Sequence, residues 1–163
     1  MKGTVLYPLN QLKDIDPEVF VTHRKKYIGR ENIQQQSIPE LDCLWNDVLH
    51  FAPVHPADVK KGLQEAGSDL TGDFYQIDPH MLDPKYTVIY LYCHKTINEK
   101  LLPNNFVSFN PDDLEQYSHL PRETIDDYKK LLNEGKAPFL YHRVPHILYK
   151  GTLDISGCTI ISV

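Results

Sequence analysis

The stretch LDCLWNDVLHFAPVHPADVKKGLQEAG, residues 41–67, holds the clearest strand-to-helix transition in the chain. Val48-Leu49-His50-Phe51 puts a bulky residue at every position, which predicts a buried strand. His55-Pro56 then opens a helix, because proline at the first helical position gives up an N–H that would have no partner anyway. Val59 and Leu63 recur at helical spacing, and Gly67 suits the residue just past the helix end. Asn46-Asp47 reads as a turn into the strand. The strand therefore delivers His50 close to a helix start, which makes that junction a candidate site.

Upstream of this stretch, residues 4–7 read as a first strand stopped by Pro8. Asp16-Pro17-Glu18 is a strong helix start, and that helix should end near Gly29. Residues 31–40 are polar and read as a connector. Downstream, residues 74–78 predict a third strand and Asp78-Pro79 a short helical turn. Residues 86–93, YTVIYLYC, are β-branched or aromatic almost throughout and uncharged, as a central strand requires. Residues 98–109 read as a loop with a short strand at 106–108, and residues 110–113 cap a short helix. A longer helix over 121–133 carries Ile125, Tyr128 and Leu132 on one face and stops at Gly135. Strands are expected at 139–144 and 159–163. The expected class is α+β, a single domain over 1–163, with a bent or split, mostly antiparallel sheet and short flanking helices.

The chain has 163 residues, enough for a real core, and 41% of them are hydrophobic. Its net charge of −5 opposes non-specific nucleic-acid binding, and the basic cluster at residues 23–26 reads as a solvated helix face. Three widely spaced cysteines with no CxxC argue against a disulfide framework or a cysteine-based zinc site, and fit a reducing cytoplasm. No signal peptide or membrane span is expected. Walker, GxSxG and GxGxxG motifs are absent, which weighs against a kinase, a serine hydrolase or a Rossmann dehydrogenase.

Three segments in order carry a resemblance: Leu49-His50-Phe51-Ala52, Ile77-Asp78-Pro79-His80-Met81-Leu82, and Val144-Pro145-His146-Ile147-Leu148-Tyr149-Lys150-Gly151. Together with the helix after the first, they resemble a family of small bacterial domains of unknown function that is placed by fold with the ADP-ribosyltransferases. The resemblance implies an ADP-ribosyltransferase-like fold whose split sheet holds NAD or a related nucleotide in a cleft. It implies catalytic roles for His50 and His146, and ring or hydroxyl contacts to the nucleotide from Tyr7 and Tyr149. The sequence departs from the family at Pro8, where the family has histidine, and at Ala52, where it has serine. It has one residue inserted in the last motif. No glutamate follows Glu134, although such transferases commonly use a late one.

Each candidate also has a plainer role. His50 and His146 would serve as well as hydrogen-bonded core or turn residues. Tyr7, Tyr149 and Trp45 would fill a core or its rim. His142 and His146, four apart in an extended segment, would lie about 13 Å apart, too far to share a metal; a composite metal site would need His50 or His55 brought close. Arg143 would meet a phosphate or form a salt bridge. Two functions compete: transfer of ADP-ribose or cleavage of the N-glycosidic bond, and a non-catalytic binding domain that keeps the fold. A histidine-based metalloenzyme is a third.

Overall fold

The computed structural model describes residues 3–28, 31–92 and 100–163. Ten short strands occur among them: β1 (Val5–Leu6), β2 (Ser37–Ile38), β3 (Cys43–Leu44), β4 (Leu49–Phe51), β5 (Asp73–Gln76), β6 (Thr87–Tyr90), β7 (Phe106–Ser108), β8 (His146–Tyr149), β9 (Leu153–Asp154) and β10 (Thr159–Ser162). Four α-helices join them: α1 (Leu9–Ile15), α2 (Pro17–Arg24), α3 (Pro56–Glu65) and α4 (Arg122–Asn133). Every pairing is antiparallel. Four strands form one sheet in the order β4-β8-β6-β7, and the others pair off as β1-β9, β2-β3 and β5-β10. The architecture is thus mixed α+β.

Burial on both faces explains the uncharged, β-rich sequence of β6, whose four residues are all buried. On one face Val88 and Tyr90 pack with Ile38, Trp45, Phe106 and Leu148. On the other, Ile89 packs with Leu49, Leu82, Phe109 and Ile147. A third cluster joins the helices: Val59 and Leu63 of α3 meet Tyr128 of α4, with Val54 and Val144. Gly62 makes this close approach feasible, since a Cβ there would stand 2.6 Å from Leu120 Cδ2 and 3.3 Å from Ile125 Cγ1. The predicted helix ends are met by glycines in the left-handed region, Gly67 at φ 89° and Gly135 at φ 68°. Asp16 caps α2 by accepting from the Val19 amide at 3.2 Å.

Several expectations change. Among the described residues β4 pairs only with β8, at the sheet edge, so it alternates: Leu49 is buried while His50 is solvent-accessible. Residues 139–144 form turns, closed by His142 N–H to Phe139 O at 3.1 Å and Val144 N–H to Tyr141 O at 3.3 Å. Arg143 sits there at φ 62°, which no strand allows. The strand starts only after Pro145, and β8 lies between β4 and β6. Pro8 ends β1 and opens helix α1, of which Leu12 alone is buried, so no periodic stripe announces it. Gly29, Cys93 and the start of the 98–109 loop lie outside the described residues. Among the described residues no helix is long and apolar enough to cross a membrane.

Candidate functional site

The register of β4 on β8 builds the site. His50 stands opposite Leu148, and His146 lies two residues before Leu148, so both histidines belong to one sheet face. Across the next pairing His146 stands opposite Tyr90, whose ring meets the imidazole edge-on at a centroid distance of 6.2 Å. Trp45 covers the other imidazole, with 4.7 Å between its ring centroid and that of His50.

Both imidazoles line a cleft of about 640 Å³ along the free edge of β4. Its walls include Phe51 and Ile147 from the opposite sheet face, Val54 and His55 at the entry to α3, Phe74 and Tyr75 of β5, and Tyr141. The lining is mostly apolar. It includes no lysine or arginine among the described residues, and Glu115 is its one acid.

Hydrogen bonds fix the tautomers, because a backbone carbonyl only accepts. His50 Nε2–H donates to Trp45 O at 2.9 Å, leaving Nδ1 with its lone pair. His146 Nδ1–H donates to Val144 O at 2.7 Å, leaving Nε2 with its lone pair. Both rings are held neutral. Removal from bulk water and the nearby His146 bring His50 down to about 4, against a smaller upward pull from the bond to the Trp45 carbonyl. Burial likewise lowers His146, and His142 adds to the effect, while its bonds to the Val144 and Pro145 backbone oppose it.

This lowering has a measurable consequence. A histidine depressed in the folded state leaves the unfolded chain binding more protons below the ordinary value of 6.5. The contribution is therefore complete above pH 6.5 and is lost as pH falls through about 4. A shift from 6.5 to about 4 would amount to about 3 kcal/mol in a dry site. The His50 ring meets cleft water, so on the order of 1 kcal/mol is expected. Melting temperatures measured between pH 7 and pH 4 should fall more steeply for the wild type than for His50→Gln; parallel curves would contradict the assignment.

The remaining sequence candidates, His55 apart, lie elsewhere. Tyr7 follows β1, half-buried, and does not reach the cleft lining. Tyr149 is on the opposite face of β8 from His146, packed with the cluster around Leu49 and Ile89. Trp45 is a core residue. His55 alone of these also lines the cleft, and there it caps α3: its Nδ1 accepts from the Ala57 amide at 3.2 Å. Among the described residues no three His, Cys, Asp or Glu side chains converge as metal ligands would. Sequence reading leaves open whether Tyr90 and Tyr92 or Ile89 and Leu91 of the β6 run line a cleft; the strand register puts the tyrosines on the histidine face. It missed Asp127, which bonds both His142 and Arg143. No protein-family model, curated protein or solved structure matches the chain.

Proposed function

We propose that the chain binds a small, ring-bearing molecule without phosphate in this cleft, of the nucleoside kind, without turning it over. One observation carries this reading: two neutral imidazoles share a wall, and each spends an N–H on a backbone carbonyl, which leaves its other ring nitrogen a lone-pair acceptor. Such a wall accepts hydrogen bonds from a ligand with donors, such as a ribose diol or a carboxamide. The apolar remainder suits a planar ring. The nicotinamide-nucleoside half of NAD has this chemistry. Its diphosphate would meet no lysine or arginine among the described residues of the lining, and the α3 N-terminus is already occupied: His55 takes the Ala57 amide through Nδ1 and the Asp58 and Val59 amides through its carbonyl. Binding without turnover is favoured because neither imidazole is bonded to a carboxylate among the described residues that would stabilise an imidazolium.

Thermal melts with nicotinamide riboside, adenosine and NAD test the reading. A ligand at a hundred times its dissociation constant adds about 2.7 kcal/mol, several degrees for a chain of this size. We expect at least one nucleoside to raise the melting temperature, and His50→Ala or His146→Ala to abolish the rise. NAD should remain unconsumed over hours. If neither nucleoside shifts the transition, or both variants bind as the wild type does, the cleft is not this site.

A further inference from the structure

A second constellation lies where the 139–144 turn meets α4 and the end of the β6 run. Asp127 Oδ2 accepts from Arg143 Nε at 2.5 Å and from His142 Nδ1 at 2.8 Å. His142 Nε2 lies 2.6 Å from the Tyr92 hydroxyl. Partial burial raises the Asp127 carboxyl, but the Arg143 guanidinium and His142 outweigh it and hold it below its ordinary value. An ionised Asp127 only accepts, so His142 carries its proton on Nδ1 and offers the Nε2 lone pair to the Tyr92 O–H. That is the logic by which an acid orients a histidine to draw a proton from a hydroxyl nucleophile.

Arg143 supplies a further element. It occupies the left-handed region at φ 62°, a costly conformation for a residue with a side chain. Its Nε is taken by Asp127, while its two terminal amino groups donate to no described residue, and its charge interacts with Tyr92 and Glu123. One guanidinium beside two carboxylates suits a monoanionic group better than a dianion.

We propose that Tyr92, His142 and Asp127 form a nucleophilic site for a phosphodiester, with Arg143 holding the non-bridging oxygens. Tyr92 Oη would bond to phosphorus as its proton passes to His142 Nε2. The bond from phosphorus to one ester oxygen would break, and His142 would return the proton to that leaving oxygen. The products are an aryl or alkyl phosphoryl-tyrosine and an alcohol, with no further reactant needed.

Bis(p-nitrophenyl) phosphate tests this with the full chain. The wild type should release p-nitrophenol and gain one p-nitrophenyl phosphoryl group on the Tyr92 peptide, read by mass spectrometry. Tyr92→Phe should lose the adduct and at least about a hundredfold of the release rate. Asp127→Asn, which leaves the histidine without its orienting anion, should slow adduct formation by a similar factor in chain that melts as a folded protein. Absence of adduct and release in the wild type, or an adduct and rate that persist in Tyr92→Phe, would mean the network only ties the turn to α4.

Discussion

Leu148→Ala should lower the stability of this chain by about 3–5 kcal/mol. Leu148 is fully buried in β8 and faces His50 on one side and Val88 on the other. It is surrounded by Trp45, Tyr90 and Phe106 in the same cluster, all large rings held by their own strands or turns. Such walls collapse poorly, so the vacated volume remains as a cavity, and the loss should exceed the transfer energy of the removed methyl groups. At about 2–4 °C per kcal/mol for a chain of this length, the melting temperature should drop by roughly 6–20 °C. Ile160→Ala serves as the control: Ile160 is 54% exposed on β10, and its loss should cost within about 0.5 kcal/mol. A loss under 1 kcal/mol at Leu148 would contradict the β4-β8-β6 register. The same substitution should weaken nucleoside binding in whatever fraction stays folded, since Leu148 lies between the two histidines along the sheet face.

The parts of this fold that could be read from the sequence are those whose causes are local. The β6 run is legible because burial on both faces demands a continuous apolar, β-branched segment. Helices α3 and α4 are legible because their ends carry their own signals: Pro56 at the start of α3, and Gly67 and Gly135 in the left-handed region beyond the two helices. The errors fall where distant residues decide. Phe139, Tyr141 and Val144 look like a strand, yet Asp127 on another element holds His142 and Arg143 in turns. Helix α1 buries only Leu12, so it has no periodic stripe to read. His50 and His146 were each visible as candidates, but their common wall depends on His50 falling opposite Leu148, ninety-odd residues later, and no local pattern encodes that register. Tyr149 stands apart from this wall for the same reason: three residues after His146 on a strand, it faces the other way.

Tyr128→Ala should be as damaging as the Leu148 substitution, about 3–5 kcal/mol, and a second substitution separates its two causes. The Tyr128 ring is fully buried between α3 and α4, packed with Val59, Leu63 and Val144. Its hydroxyl donates to the carbonyl of Leu140 in the turn that precedes β8. Burial pushes that hydroxyl up to about 12, so it remains a donor at every pH at which the chain would be handled. Tyr128→Phe keeps the ring and deletes the donor, leaving the Leu140 carbonyl without its partner; about 1–3 kcal/mol should be lost. The difference between the two variants is then the packing of the ring. The bond also matters beyond stability, because it anchors the turn that carries His142 and Arg143, and Asp127 is the residue next to Tyr128 on α4. Thr124 ties the same turn from one helical turn earlier, its hydroxyl donating to His142 O at 2.8 Å. With Thr124 still in place, Tyr128→Phe should therefore leave Tyr92 labelling by the phosphodiester largely intact. The double variant Tyr128→Phe with Thr124→Val should lose labelling while the cleft still binds a nucleoside. Chemical denaturation of the four proteins measures the coupling: an interaction energy near zero would mean that the two hydroxyls hold the turn independently, and one of 0.5 kcal/mol or more that they hold it as a unit.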